Sequence, residues 1–275
     1  MMTNTRGTIR VVLRELGYFF KGAALNIFSW EFLTVLIPLV ALWELLPQLG
    51  VVPRTLIPPP SDVIVTAWDL FVHQGFIHDI INSMGKFFLG LGIAIVTAIP
   101  LGILMGWNIA IRKRTLSLFQ LLAPIPPPAW VPITIILFGI GLPMQTFLIF
   151  IGAFYPILFN TYQAVKDTDS RYLASARMFG ASEFTLIVRV YFWHALGALI
   201  MSVKTGVAMG LVMLVIAEMY GGRTGIGFVL NEAKDYFQIP KMMVCMITLG
   251  GIGWFLIEVL KFIELKLAVW KGGAR

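Results

Sequence analysis

Charge is scarce in this chain. Asp, Glu, Lys and Arg make up 13% of its 275 residues, about half of what a soluble domain carries. There is one cysteine, Cys245, so no disulfide framework forms and no thiolate metal cluster can be built. The three histidines, His73, His78 and His194, stand apart, which argues against an enzyme site built on a His/Asp/Glu cluster. The Gly-x-x-x-x-Gly-Lys-Ser/Thr string is missing, so no nucleotide-binding loop is expected. The apolar runs lack the period-two alternation of a membrane barrel. No early apolar run with a small-residue cleavage site follows the basic N-terminus, so no cleaved leader is expected. Two recognisable internal repeats are also lacking, and ionisable groups within the apolar runs are few. Both facts weigh against the alternative of a self-sufficient secondary transporter or channel, which needs coupling groups within its spans.

What is abundant is apolar. Hydrophobic residues make up 58% of the chain, and the mean hydropathy is +0.85. The fold class that follows is an all-α, polytopic membrane protein. Runs of roughly 20 residues can cross the hydrocarbon core as helices. Six fall near 31–50, 84–107, 118–139, 143–162, 195–217 and 242–263. Residues 8–29 mix Arg10, Arg14 and Lys21 with Val11, Leu13, Leu16, Phe19 and Phe20. They suit a helix lying in the membrane interface or a plain leader. The expected organisation is an N-terminal interfacial helix over 1–30, a membrane domain over 31–270 and a tail over 271–275.

The basic residues divide unevenly between the loops. One side collects Arg6, Arg10, Arg14 and Lys21, then Arg112, Lys113 and Arg114, then Lys166, Arg171, Arg177 and Arg189, then Lys261, Lys266, Lys271 and Arg275. The other side has Arg54, Arg223, Lys234 and Lys241. The positive-inside rule puts both termini in the cytoplasm, with an even number of spans. Scattered at span ends without aromatic interleaving, these residues do not read as a nucleic-acid surface.

Several segments stand out. Between the first two spans, Pro58, Pro59 and Pro60 hold the chain extended, and Ser61 or Asp62 can cap a helix running to about Leu70. In the second span, Gly102 and Gly106 form a small-xxx-small pair suited to close helix packing. The third span opens with Ala123-Pro124-Ile125-Pro126-Pro127-Pro128-Ala129-Trp130-Val131-Pro132. So many prolines break a helix, and broken backbone at membrane depth is tolerated only inside protein or beside a wet cavity. Pro126, Pro127, Pro128, Trp130 and Asn160 are therefore candidates for a solute path. Lys204 lies within the fifth span, where a charge is costly; it either meets solute or snorkels to the interface. Glu218, at the end of that span, can accept amide hydrogen bonds from the next loop, and it is also a path candidate. That loop, Tyr220 to Gly227, is glycine-rich. Gly222, Arg223 and Gly225 suit a gate or a docking surface there, or a plain turn.

The connection from 166 to 193 has a pattern of its own. Asp169 or Ser170 can start a helix. Ala174, Ser175 and Ala176 give it a face without bulk, and Gly180 allows a chain reversal. After Gly180-Ala181, Ser182 with Glu183 can start a second short helix with Phe184, Leu186, Ile187 and Val190 on its apolar side. A helix with a bulk-free face at the membrane surface suits insertion into a groove on another protein.

These strings resemble the ABC importer permeases, and in particular their nitrate/sulfonate/bicarbonate (taurine) branch. The loop of that family reads roughly Glu-Ala-Ala, three residues, Gly, then Leu-Pro about a dozen residues on. Here Gly180 takes the glycine position, while Ala174 stands at the acidic position and Phe192-Trp193 at the Leu-Pro position. The proline string at 124–132, Phe138-Gly139-Ile140-Gly141, Phe154-Tyr155-Pro156-Ile157-Leu158-Phe159-Asn160-Thr161 and Ala217-Glu218-Met219 extend the likeness over about residues 30–270. The resemblance implies the transmembrane subunit of an ATP-driven importer of a small solute, an anion by its branch, in the bacterial plasma membrane. Its implied partners are a second permease copy, two cytoplasmic ATP-binding subunits and an external or periplasmic solute-binding protein. ATP and Mg would sit on the partner ATPase and no cofactor on this chain. The 166–193 connection would be the loop that couples to the ATPase.

Overall fold

A computed structural model describes residues 30–268; the expected interfacial helix at 8–29 and the C-terminal tail lie outside them. Every regular element among the described residues is helical. The helices are α1 (Trp30–Gln48), α2 (Pro60–Val72), α3 (Phe76–Trp107), α4 (Ile109–Leu122), α5 (Val131–Phe138), α6 (Leu142–Lys166) and α7 (Ser170–Met178). The last three are α8 (Glu183–Gly221), α9 (Ile226–Asp235) and α10 (Ile239–Ala268). Five of them, α1, α3, α6, α8 and α10, are long and apolar enough to cross a membrane.

The sixth expected span is broken. The helical segments Ile109–Leu122 and Pro127–Phe138 meet at 87°. Pro124, Pro126, Pro127 and Pro128 remove the amides that would continue α4, and a short 3-10 turn at Pro127–Trp130 leads into α5. Asn108 accounts for the other boundary of α4. Its side chain accepts the amides of Ala110 and Ile111 and so starts a new helix immediately after α3. Arg112, Lys113 and Arg114, assigned to a loop from sequence, therefore sit in the opening turns of α4.

Helix α6 is the centre of the bundle, packed along α3 on one side and α8 on the other. Phe87, Ala94, Ala98, Ile149, Ala153, Ile157, Leu158, Val207 and Leu214 form the buried core between them. Glycines set how closely these helices approach. A Cβ at Gly102 would lie 2.8 Å from the Cβ of Thr161, and one at Gly106 would lie 2.6 Å from that of Val165. The Gly102/Gly106 pair is thus the point where α3 crosses α6, in the manner of small-residue membrane interfaces. By contrast, α1 and α10 present most of their apolar side chains outward.

Helix α2 departs from expectation at its start. Neither Ser61 nor Asp62 is the N-cap; Pro59 is, and it offers no side-chain hydrogen bond. The cap comes from another helix. Glu44 of α1 accepts the Ser61 amide at 3.1 Å and the Ser61 hydroxyl at 2.8 Å. Trp43 reinforces the join by donating its indole N–H to the Pro58 carbonyl at 3.0 Å.

Candidate functional site

The chain has functional features at both ends of α3. From Asp79 to Trp107 that helix rises about 40 Å at 1.5 Å per residue, so the two sets of groups lie on opposite sides of an apolar slab.

At the N-terminal end of α3, Asp79, Ser83 and Lys86 follow one another at i, i+4 and i+7 and share a helix face. That face meets Glu218 near the end of α8. The Glu218 carboxylate is fully buried. It accepts the Ser83 hydroxyl at 2.8 and 2.9 Å, the Lys86 ammonium at 2.9 Å and the Gly227 amide at 2.9 Å. The same α3 face holds the start of α9. Asp79 accepts the Gly225 amide at 2.8 Å, and Ser83 Oγ accepts the Ile226 amide at 2.9 Å. Lys86 also donates to the Thr224 carbonyl at 2.8 Å. The first amides of α9, which no residue within that helix can satisfy, are met one after another by side chains from two other helices.

This arrangement explains the glycines of the loop. Gly225 has φ +118°, and a Cβ there would collide with the Glu218 carboxylate. A Cβ at Gly222 would lie 2.5 Å from the Glu218 carbonyl oxygen. Glu218 accepts a loop amide as its place in the sequence suggests, but it is sealed in by its partners and lines no open path within this chain. Gly225 is buried as well, so it presents no docking surface. Of the loop candidates, Arg223 is exposed and Gly222 half-buried. No motif in the sequence singles out Asp79, Ser83 or Lys86. The spacing of three polar groups on one face at the start of an apolar helix was the available signal.

At the other end, the chain leaves α6 and forms α7. Asp169 caps α7 by accepting the Arg171 amide at 2.8 Å. The Arg171 guanidinium also pairs with Asp169, holding its carboxyl below the usual carboxylate range. Gly180 turns the chain at φ +76° with open space around it. Ser182 caps the start of α8, its Oγ accepting the Thr185 amide at 3.3 Å. The short second helix expected after Glu183 does form, but it does not end. Through a π-helical stretch at Leu186–Tyr191 it runs on into the span. Leu186 is buried there, whereas Phe184 is exposed.

Helix α7 projects from the bundle. Ala174 and Ser175 are exposed and Ala176 is half-buried. The face is small as expected, but its end is not. Met178 is 87% and Phe179 92% exposed, so the most prominent surface of this loop is bulky and apolar. Gly180 and Ser182 are exposed beside them, and Ala181 is half-buried. Glu183 ties the loop to the membrane helices: it accepts the Trp107 indole N–H at the end of α3 at 2.9 Å and pairs with Arg177 of α7 at 3.2 Å.

The remaining path candidates are not gathered in one place. Pro126 and Pro128 are exposed, and Pro127 and Trp130 are half-buried. Trp130 packs with Met144, Met213 and Ala217, and its buried indole nitrogen has no hydrogen-bond partner among the described residues. Asn160 is exposed on α6. Lys204 is ion-paired with Glu264 of α10, with side chains 14% and 31% exposed. It is thus neither a free intramembrane charge nor a side chain that simply reaches water.

An α-helical membrane bundle with a proline-broken span, a projecting loop helix and no nucleotide site among its motifs has the architecture of a permease subunit. Residues 98–266 match the family described as binding-protein-dependent transport system inner membrane component, and the chain belongs to that family. It is 31% identical over 98% of its length to a putative ABC transporter permease protein of Methanocaldococcus jannaschii, and that alignment covers 98% of the relative. It is 26% identical over 85% of its length to the taurine transport system permease protein of Escherichia coli, 87% of which is covered. Relatives named for aliphatic sulfonates, nitrate and bicarbonate also match. Among solved structures, an inward-facing MetNI methionine ABC transporter aligns over 70% of this chain and 95% of its own, with TM-score 0.59 and 16% identity. That likeness concerns the fold. The chain is an ABC importer permease, a membrane component with several spanning helices.

Proposed function

We propose that this permease works as a pair of copies, with two cytoplasmic ATP-binding subunits and an external solute-binding protein, and that it imports a small anion of the nitrate, bicarbonate, sulfonate or taurine class. ATP and Mg act on the ATP-binding subunits; this chain contributes no catalytic group. Both termini are cytoplasmic, as is α7, and the Glu218 hub faces outward. The observation that carries the reading is the projection of α7 with Met178 and Phe179 exposed. An apolar tip in water implies a partner, and the loop basic residues, concentrated around it, mark the cytoplasmic side.

In this arrangement the tip docks into a cleft of the ATP-binding subunit. Closure of the ATPase pair moves α7, and the Arg177–Glu183 pair passes the displacement from α7 to α3 through Trp107. The broken α4–α5 span, with the orphaned Trp130 indole, faces the second copy, where its free backbone groups meet solute or protein instead of lipid. The relatives named for taurine, sulfonates, nitrate and bicarbonate support the anion class. Proteoliposomes carrying the full complex should show ATP-dependent uptake of one of these anions, and that anion should stimulate ATP hydrolysis. If none of the four does either while the complex is intact, the anion class is wrong. Topology is checked separately. Cysteine at Asp62 should react with an impermeant maleimide from outside, and cysteine at Lys113 or Ser170 should not; the reverse pattern would invert the orientation.

A further inference from the structure

Beside the Glu218 hub is a cleft of about 400 Å³, lined by Lys86, Gly141, Leu142, Gln145, Arg223 and Thr224 among others. We propose that this cleft is an anion subsite at the outer mouth of the permease, which the solute occupies before it enters the path between the two copies. The inference rests on the anion-import reading above and adds a place and a set of groups to it.

Three independent features converge there. First, the cleft lies at the N-terminus of α6, a helix of 25 residues whose N-cap is Gly141 and carries no side-chain hydrogen bond. Pro143 has no amide hydrogen and the Gln145 amide bonds to the Gly141 carbonyl at 3.1 Å, so the Leu142 and Met144 amides are the first-turn donors left, and with the helix dipole they favour negative charge at that point. Second, Gln145 stands one turn into the same helix. It is only 3% exposed, yet its side-chain amide has no hydrogen-bond partner among the described residues, and it lines the cleft. A Cβ on Gly221, across the cleft, would lie 3.8 Å from its Nε2. The amide therefore opens on the cleft, where it can donate to a group that enters. Third, the lining of the cleft carries the cations Lys86 and Arg223 and no carboxylate among the described residues. Lys86 is neutralised by Glu218. Arg223 is exposed, makes no ion pair among the described residues and borders the cleft. The carboxylates on the far side of Arg223 are engaged elsewhere: Asp79 holds the Gly225 amide and Glu232 pairs with Lys241 at 3.5 Å. A small oxyanion placed here would take hydrogen bonds from the Gln145 amide and the α6 amides and charge from Arg223. Through Arg223 it would touch the loop that Lys86 holds at the Thr224 carbonyl.

The sole cysteine, Cys245, is buried, so Thr224→Cys gives one reactive thiol at the rim of the cleft. The full importer complex in membrane vesicles is treated from outside with an anionic and a cationic methanethiosulfonate of similar size, each rate being normalised to a free thiol. The anionic reagent should react about tenfold faster, the factor a nearby partly screened unit charge supplies. Adding Arg223→Gln should bring the two rates to within about twofold of each other, by the same reasoning. Taurine or nitrate should slow labelling, and Gln145→Leu should remove that protection while ATP-binding subunits stay attached. Equal or inverted reagent preference in the Thr224→Cys protein overturns the subsite, as does a preference that Arg223→Gln leaves unchanged. Uptake by the same vesicles separates the two readings. ATP-driven anion uptake without reagent preference rejects the subsite and keeps the importer. Preference and protection without uptake of any tested anion keep the subsite and reject the substrate assignment.

Discussion

The two ends of this permease handle their polar and apolar groups in opposite ways. At the Glu218 end, a buried carboxylate, an ammonium, a hydroxyl and three successive loop amides are all satisfied within one chain. At the α7 end, two large apolar side chains are left in the open, while Leu173 and Ala176 pack on the bundle and Glu183 ties the helix to α3. A region that completes itself fixes geometry. A region that leaves apolar surface uncovered waits for another protein. On the proposed reading, the moving joint with a partner is at the α7 end, and the Glu218 end is the rigid reference against which it moves.

The largest effect should come from breaking the rigid end. Glu218→Ala strands the Lys86 ammonium among buried groups and leaves the Gly227 amide and the Ser83 hydroxyl without their acceptor. Removing one partner of a buried ion pair costs about 3–5 kcal/mol, so the purified complex should melt at markedly lower temperature or fail to accumulate. The pair Lys86→Met with Glu218→Gln should recover part of that loss, since no charge is then left unpaired. If Glu218→Ala melts like the unaltered protein, the hub does not hold the fold and the comparison between the ends fails.

At the α7 end the protein should stay folded while coupling is lost. Gly180→Val forces a β-branched residue into the left-handed region at φ +76°, at a local cost of about 1–2 kcal/mol. Met178→Ser with Phe179→Ser removes the apolar tip without touching the backbone. Both variants should keep the normal melting temperature of the isolated permease and retain less ATP-binding subunit on co-purification, with basal hydrolysis no longer stimulated by solute. Full retention of the subunit by the double serine variant would show that the contact lies on the small face at Ala174 and Ser175.

The Lys204–Glu264 pair should give a smaller change. It joins α8 to α10 and is partly exposed, so a double-mutant cycle of Lys204→Met and Glu264→Gln should report a coupling of about 1 kcal/mol. Transport would then respond to both single variants alike. A large transport defect in Lys204→Met that Glu264→Gln does not share would return Lys204 to the solute path.

Sequence reasoning fared differently at the two ends, for a physical reason. The α7 loop is local: Asp169, Gly180 and Ser182 act on neighbours within a few residues, so their capping and turning roles follow from spacing alone. The Glu218 hub joins residues about 135 positions apart, and nothing in spacing tells Glu218 which helix it meets. The hydropathy signal also concealed its partners. His78, Asp79, Asn82 and Ser83 lower the apolarity of the first turns of α3, so the expected span starts at 84 although the helix starts at Phe76. The same effect trims α8, whose first dozen residues, including Glu183 and Arg189, fall outside the apolar window although they are helical. The proline break in the third span was legible because proline acts on its own backbone. The bulky tip of α7 was not, because exposure of Met178 and Phe179 depends on where the bundle ends.

The finest test of the α7 end uses pH. The Asp169 carboxyl is held below its ordinary value chiefly by its hydrogen bonds to Arg171, side chain and amide. A group whose pKa falls on folding stabilises the folded loop above its unfolded pKa, and that contribution is lost as pH drops through the folded value. The first turn of α7 should therefore keep its protection against amide exchange at pH values where an ordinary Asp, with a pKa of about 3.9, is already half protonated. Arg171→Gln removes the guanidinium and should move the loss of protection upward, towards that ordinary range. Asp169→Asn keeps a capping oxygen but no titrating group, so its protection should be flat with pH over the same interval. The readout is exchange at the Arg171 amide and its neighbours in the purified permease. A profile identical in the three proteins would mean that the cap contributes nothing to α7, and that packing of Leu173 and Ala176 with the Glu183 contacts holds the loop.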